Sequence, residues 1–187
     1  MSNTWGGLQG LAPSTIQGTG AESSMTTYGK NRIGNEINMR HWSMDCYIDL
    51  PKALNGTPTF PLSQIPCRII LADNLTDDGV LQAQDVLQNP LSNAQSLISP
   101  YKNSANASKR YKIYADYKFN IAGNKAGKRI HFKMPLPKSG RVVHFQDAAS
   151  STPSDFNMSV LFFAEISPAG TNFPNLNLTV KSRFTDC

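Results

Sequence analysis

An all-β sandwich or barrel is the fold class this sequence predicts. Seven or eight short segments either alternate apolar and polar residues or run continuously apolar. The stretches between them are rich in Gly, Pro, Asn and Ser, the residues of turns and loops. A single stretch carries a helical suggestion.

Taken in order, residues 1–30 read as a flexible N-terminal arm, because Gly6-Gly7 and Gly18-Thr19-Gly20 break any periodic pattern. Residues 31–187 read as one folded domain. The first strand covers Ile37 to Ile48, with period two from Trp42 onward and a slip of phase near Arg40, the mark of a β-bulge. Pro51 and the Asn55-Gly56-Thr57-Pro58 cluster end it. Ile65 to Ala72 forms a short apolar strand ending at Asp73. Val80 to Leu87 suggests about two helical turns, capped by Asp77 or Asp78 and stopped at Asn89-Pro90. Lys109 to Phe119 alternates, with Tyr111, Ile113, Ala115, Tyr117 and Phe119 expected on one face. Arg129 to Met134, Arg141 to Phe145, Met158 to Ala164 and Leu176 to Phe184 complete the strands, the last with a Leu-Leu-Val inner face. The long connections from Asn55 to Gln64, Asn74 to Ser99 and Ala148 to Phe156 are expected to carry outer surface and contacts between subunits.

Composition excludes several classes. Of 187 residues, 40% are hydrophobic and 17% charged, which suits one packed domain rather than a charge-rich disordered tail. No run approaches the roughly 20 apolar residues of a membrane helix. No basic region leads into an apolar core at the start, so no signal peptide and an intracellular setting are expected. Cys46, Cys67 and Cys187 lie far apart and form no metal-binding pattern; the first two read as small buried hydrophobes. His41, His131 and His144 are isolated from one another, and no nucleophile elbow, P-loop or zinc-protease motif occurs. No enzyme, metal or cofactor is therefore expected.

Charge is distributed unevenly. Residues 102–141 hold eleven cations and one anion, whereas the remaining seven cations face twelve anions. A block this basic favours a polyanion, of which nucleic acid is the commonest, although the same block also suits a merely solvated face.

Several segments, in order, carry a resemblance. They are Lys30-Asn31-Arg32-Ile33-Gly34-Asn35 after a Gly-rich lead, Cys67-Arg68-Ile69-Ile70-Leu71-Ala72-Asp73, Ala83-Gln84-Asp85-Val86-Leu87, Ser108-Lys109-Arg110-Tyr111-Lys112-Ile113-Tyr114-Ala115-Asp116 and Arg183-Phe184-Thr185-Asp186. Together they resemble the capsid proteins of circular, Rep-encoding single-stranded DNA viruses, and are similar to plant satellite-virus coats. The resemblance implies a single jelly-roll sandwich of eight antiparallel strands with long loops. It also implies about sixty copies closing an icosahedral T=1 shell around a single-stranded DNA genome. The protein would then reside in the virion, with assembly in the host nucleus or cytoplasm, no membrane contact, and a host receptor of unspecified kind. Family members usually begin with an arginine-rich arm, whereas this chain begins Met1-Ser2-Asn3-Thr4-Trp5. Either such an arm has been removed, or packaging falls to the folded basic strands.

The expected phosphate contacts are Arg32, Arg40, Lys109, Arg110, Lys112, Lys118, Lys125, Lys128 and Arg129, with Trp42 as a stacking residue. Some of these would instead line subunit interfaces. The competing class is a monomeric β-sandwich or OB-like module that binds single-stranded nucleic acid, using Tyr111, Tyr114, Tyr117 and Phe119 as platforms. Those aromatics equally suit core packing.

Overall fold

Alternation along the first strand segment places Ile37, Met39, Trp42, Met44, Cys46 and Ile48 on one side, and β1 (Glu36–Asp49) buries that side completely. The computed structural model describes residues 34–50, 64–76, 81–102, 110–122, 127–146, 153–165 and 174–186. Arg32, Lys109, Lys125, the arm at 1–30, and the proposed cap at Asp77 or Asp78 lie outside the described residues. The other strands are β2 (Ile65–Asn74), β3 (Tyr111–Ile121), β4 (Gly127–Lys133), β5 (Arg141–His144), β6 (Asn157–Ala164) and β7 (Asn175–Asp186). Seven strands are thus present among the described residues, where eight were expected.

Every pairing is antiparallel and the strands divide into two sheets. In the first, β1 pairs along one edge with β7 and along the other with β5 and then β4. In the second, β2 lies between β3 and β6. The register of β1 with β7 shifts between Met39 and His41, so the bulge falls at Arg40 as the phase slip predicts.

The inner faces enclose the main core. Trp42 sits at its centre, fully buried, with Phe132 and Phe156 edge-on at centroid distances of 6.1 and 6.2 Å. Such edge-to-face aromatic contacts add about 0.5–1.5 kcal/mol beyond area burial. Cys46 and Cys67 are buried free thiols in this core. Desolvation pushes both thiols up to about 12, which keeps them protonated and chemically quiet.

A second core lies on the far side of the β3-β2-β6 sheet. Ile70, Ala72, Leu161 and Phe163 point outward there and are covered by Leu81, Val86, Leu87 and Leu97. All eight residues of β6 are buried, as a continuous apolar run requires. The covering segment holds two short helices, α1 (Ala83–Val86) and α2 (Asn93–Ile98). The expected two-turn helix shrinks to one turn, capped by Asp85 accepting from Gln82 N–H at 2.7 Å. The second helix had no sequence signal, and Ser92 caps it by accepting from Gln95 N–H. The stretch expected to carry outer surface and contacts between subunits thus also packs its apolar residues against its own sheet.

Arg68 fastens that segment. Its side chain is 2% exposed and meets Asp116 through two nitrogens, at 3.0 and 2.8 Å. Nη1 also donates to the Ser96 and Ser99 carbonyls at 2.8 Å each. Tyr101 donates its hydroxyl to Asp116 at 2.6 Å; burial, then Asp116, pushes that phenol up to about 12. The guanidinium thus meets a carboxylate and two carbonyls, which is what makes its buried charge tolerable.

Candidate nucleic-acid interface

Because side chains alternate across a strand, the outward set of the β1 sheet is fixed once its register is known. Opposite His41, Ser43, Asp45 and Tyr47 on β1 stand Lys133, His131 and Arg129 on β4, and Arg183, Lys181, Thr179 and Asn177 on β7. Nothing covers this face among the described residues. Arg129, His131 and Lys181 are 74, 57 and 70% exposed, and Lys133 and Arg183 are exposed too. Four fixed cations therefore stand on this face with two carboxylates, Asp45 at its centre and Asp49 at its end, where Asp49 accepts from Asn177 Nδ2 at 3.4 Å.

The central carboxylate, Asp45, takes Arg129 and His131 at 3.1 Å and Lys181 at 3.9 Å. The hydrogen bond from His131, then that from Arg129, holds it below the usual carboxylate range. His41 shares its ring nitrogen with Ser43 Oγ at 3.0 Å. Burial first, then Lys133, Arg183 and His131, lower its pKa. The neighbouring cations thus add to burial in disfavouring its protonated form. Tyr47, 49% exposed, supplies an accessible ring beside Arg129.

The sequence candidates do not gather on one surface. Arg129 is on the cationic face. Lys128, its neighbour, is exposed at the opposite parity. Arg110 pairs with Asp85 at 3.6 Å on the other sheet. Lys118 is exposed beside the Arg68–Asp116 cluster, also on that sheet. Lys112 lies on the inner side of the same strand, its Nζ 4.9 Å from the Tyr114 ring centroid. Arg40 donates from Nη1 to Ser139 O at 2.6 Å. Trp42 is corrected outright: at 0% exposure it has no face to offer a base.

The split along β3 has a specific cause. Its register with β2 shifts between Leu71 and Ala72, leaving Tyr114 as the extra residue. Tyr111 and Ile113 therefore join the outer core, whereas Ala115, Tyr117 and Phe119 pack into the inner one. The expected single aromatic face does not exist, and Lys112 and Lys118 point to opposite sides.

Lys133, Lys181, Arg183 and Tyr47 were missed by sequence reasoning. The available signal was the polar alternation Asn175, Asn177, Thr179, Lys181, Arg183 on the last strand, opposite its Leu-Leu-Val face. Among the described residues no group of three or more His, Cys, Asp or Glu side chains could hold a metal, and no helix is long and apolar enough to cross a membrane. Searches against protein-family models and against curated proteins find no match for the chain.

Proposed function

We propose that this chain is a non-enzymatic coat subunit, a jelly roll that assembles with about sixty copies of itself and encloses single-stranded DNA. The observation that carries the reading is the bare cationic face of Arg129, Lys133, Lys181 and Arg183 with Tyr47. Cations at strand spacing neutralise phosphates without reading bases, and an accessible ring stacks on any base.

Strand order supports the jelly-roll part. β1 pairs with β7 and β2 with β6, while β3 and the β4–β5 pair flank the inner partners. A jelly roll has this order for six of its eight strands, with β4 and β5 together standing as one, and adds one strand beside β6 and one beside β7. Self-assembly goes with the jelly-roll reading, since identical subunits of this kind close shells by symmetry.

Light scattering and negative-stain microscopy of the purified protein test this. Closed particles of roughly megadalton mass, about sixty times the 20.5 kDa subunit, are expected. Nucleic acid should copurify with them. A monomer at all concentrations and salts would defeat the coat reading and leave the monomeric nucleic-acid-binding sandwich.

A further inference from the structure

We infer that the cleft at the β2–β5 end of the sandwich is a nucleotide pocket, which seats one 5′-phosphorylated nucleotide of the bound strand. This deepens the nucleic-acid reading and rests on it. The cleft measures about 440 Å³, inside the range of small-ligand sites. It opens where the ends of β2 and β3 meet the connection between β4 and β5.

Its two walls differ in chemistry. Leu75, Pro135, Leu136 and Pro137 form an apolar wall. Leu75 is 43% exposed, an uncovered apolar surface. The rest of the lining, with Asp73, Lys112, Tyr114 and Arg141, is polar and pre-positioned. Arg141 donates from Nη1 to Asp73 at 3.0 Å and to the Tyr114 hydroxyl at 3.3 Å, and from Nη2 to the Asp155 carbonyl at 2.6 Å. Asp73, 1% exposed, also accepts from the Asn157 N–H at 3.0 Å, so both its oxygens are occupied. Lys112 stands above the Tyr114 ring with no carboxylate partner among the described residues. The Tyr114 hydroxyl accepts from Arg141 and keeps its own hydrogen to donate.

The ligand that answers both walls joins a flat ring to an anion. A nucleoside alone leaves Lys112 unmet. Inorganic phosphate leaves the proline wall wet. A nucleotide lays its base on Pro135–Pro137 and its phosphate against Lys112 and Tyr114. The rim is basic as well: Arg40 reaches the Ser139 carbonyl, and Lys138 is exposed in the adjoining turn. Gly140 makes that turn at φ +84°, where an added Cβ would strike the Asn38 side chain. Chain continuity leads from the cationic face to this rim, since Lys133 precedes Pro135 by two residues and Arg40 adjoins His41.

Equilibrium dialysis of the full chain with deoxythymidine 5′-monophosphate tests the pocket, with deoxythymidine and inorganic phosphate as separate probes. The monophosphate should bind more tightly than either. Lys112→Ala should weaken it about tenfold, the loss of one charge-assisted contact, and Leu75→Ser should weaken it less. Lys118→Ala, equally exposed on the other side of β3, should leave it unchanged. Equal loss in the Lys112 and Lys118 variants overturns the pocket, because it reports diffuse charge. Phosphate binding as tightly as the nucleotide also overturns it. Oligo(dT) bound by a protein that ignores the monophosphate overturns the pocket and leaves the sheet face standing. Monophosphate bound without oligo(dT) overturns the single-stranded DNA reading instead, and binding of neither overturns both.

Discussion

The two sheets share one inner core yet treat their outer faces in opposite ways. Outside β2 and β6 the residues are Ile70, Ala72, Leu161 and Phe163, and a folded segment with two short helices covers them. Outside β1 and β7 they are His41, Asp45, Tyr47, Thr179, Lys181 and Arg183, and no segment among the described residues covers that face. An arginine on each side shows what this costs or contributes. Arg68 is sealed in and must satisfy every donor. Arg129 stands in water with one partial partner. Burial turns the first into a structural fastener, whereas exposure leaves the second free to meet a ligand.

The largest effect expected from breaking this contrast is at Arg68. Arg68→Ala strands the Ser96 and Ser99 carbonyls and removes the Asp116 pairing, so urea unfolding should show a loss of about 3–5 kcal/mol. Arg129→Ala should change stability by less than about 0.5 kcal/mol. Comparable losses at the two sites would mean that the faces are not distinct.

Affinity should reverse that order. Replacing Lys133, Lys181 and Arg183 together by Ala should lower the salt slope of oligo(dT) binding by about 2, at roughly 0.7 counterion per phosphate contact. The melting temperature should hardly move. The pair Arg110→Ala and Lys118→Ala on the other sheet should leave the slope near its original value. A larger change from that pair would transfer the interface to the covered sheet.

The smallest effect concerns protonation. His144 Nδ1 lies 2.6 Å from Asp155 Oδ2, and this hydrogen bond raises its pKa above the ordinary 6.5. Its contribution to stability is thus fully present below 6.5 and fades as pH rises through the folded value. His41 is shifted the other way, so on acidification below 6.5 the unfolded chain takes its proton first and stability falls. An NMR titration should give His144 the higher midpoint. Added oligo(dT) should move His41 upward by screening Lys133 and Arg183, and should leave His144 in place. An unmoved His41 would detach the cationic face from the ligand.

Much of the fold was legible because strand alternation is local. The bulge at Arg40, the buried run from Met158 to Ala164 and the inner row Leu176, Leu178, Val180 each follow from which residues avoid water. The buried thiols Cys46 and Cys67 follow from the same pattern. The site was far less legible. The basic block of residues 102–141 is continuous in sequence, but alternation and the bulge at Tyr114 scatter it over both faces of one sheet and the far edge of the other.

What the sequence determined by itself was therefore which side of each strand is apolar, since transfer from water acts residue by residue. Only the tertiary structure decided which outward sides become neighbours and which are covered. Lys133, Ser43 and Lys181 stand in one row although roughly 90 and 140 residues separate the first and last from Ser43. Arg68 is buried because α2 and Tyr101 fold over it. Hydrogen-bonded register sets such relations across long loops, and no local period of the chain encodes it.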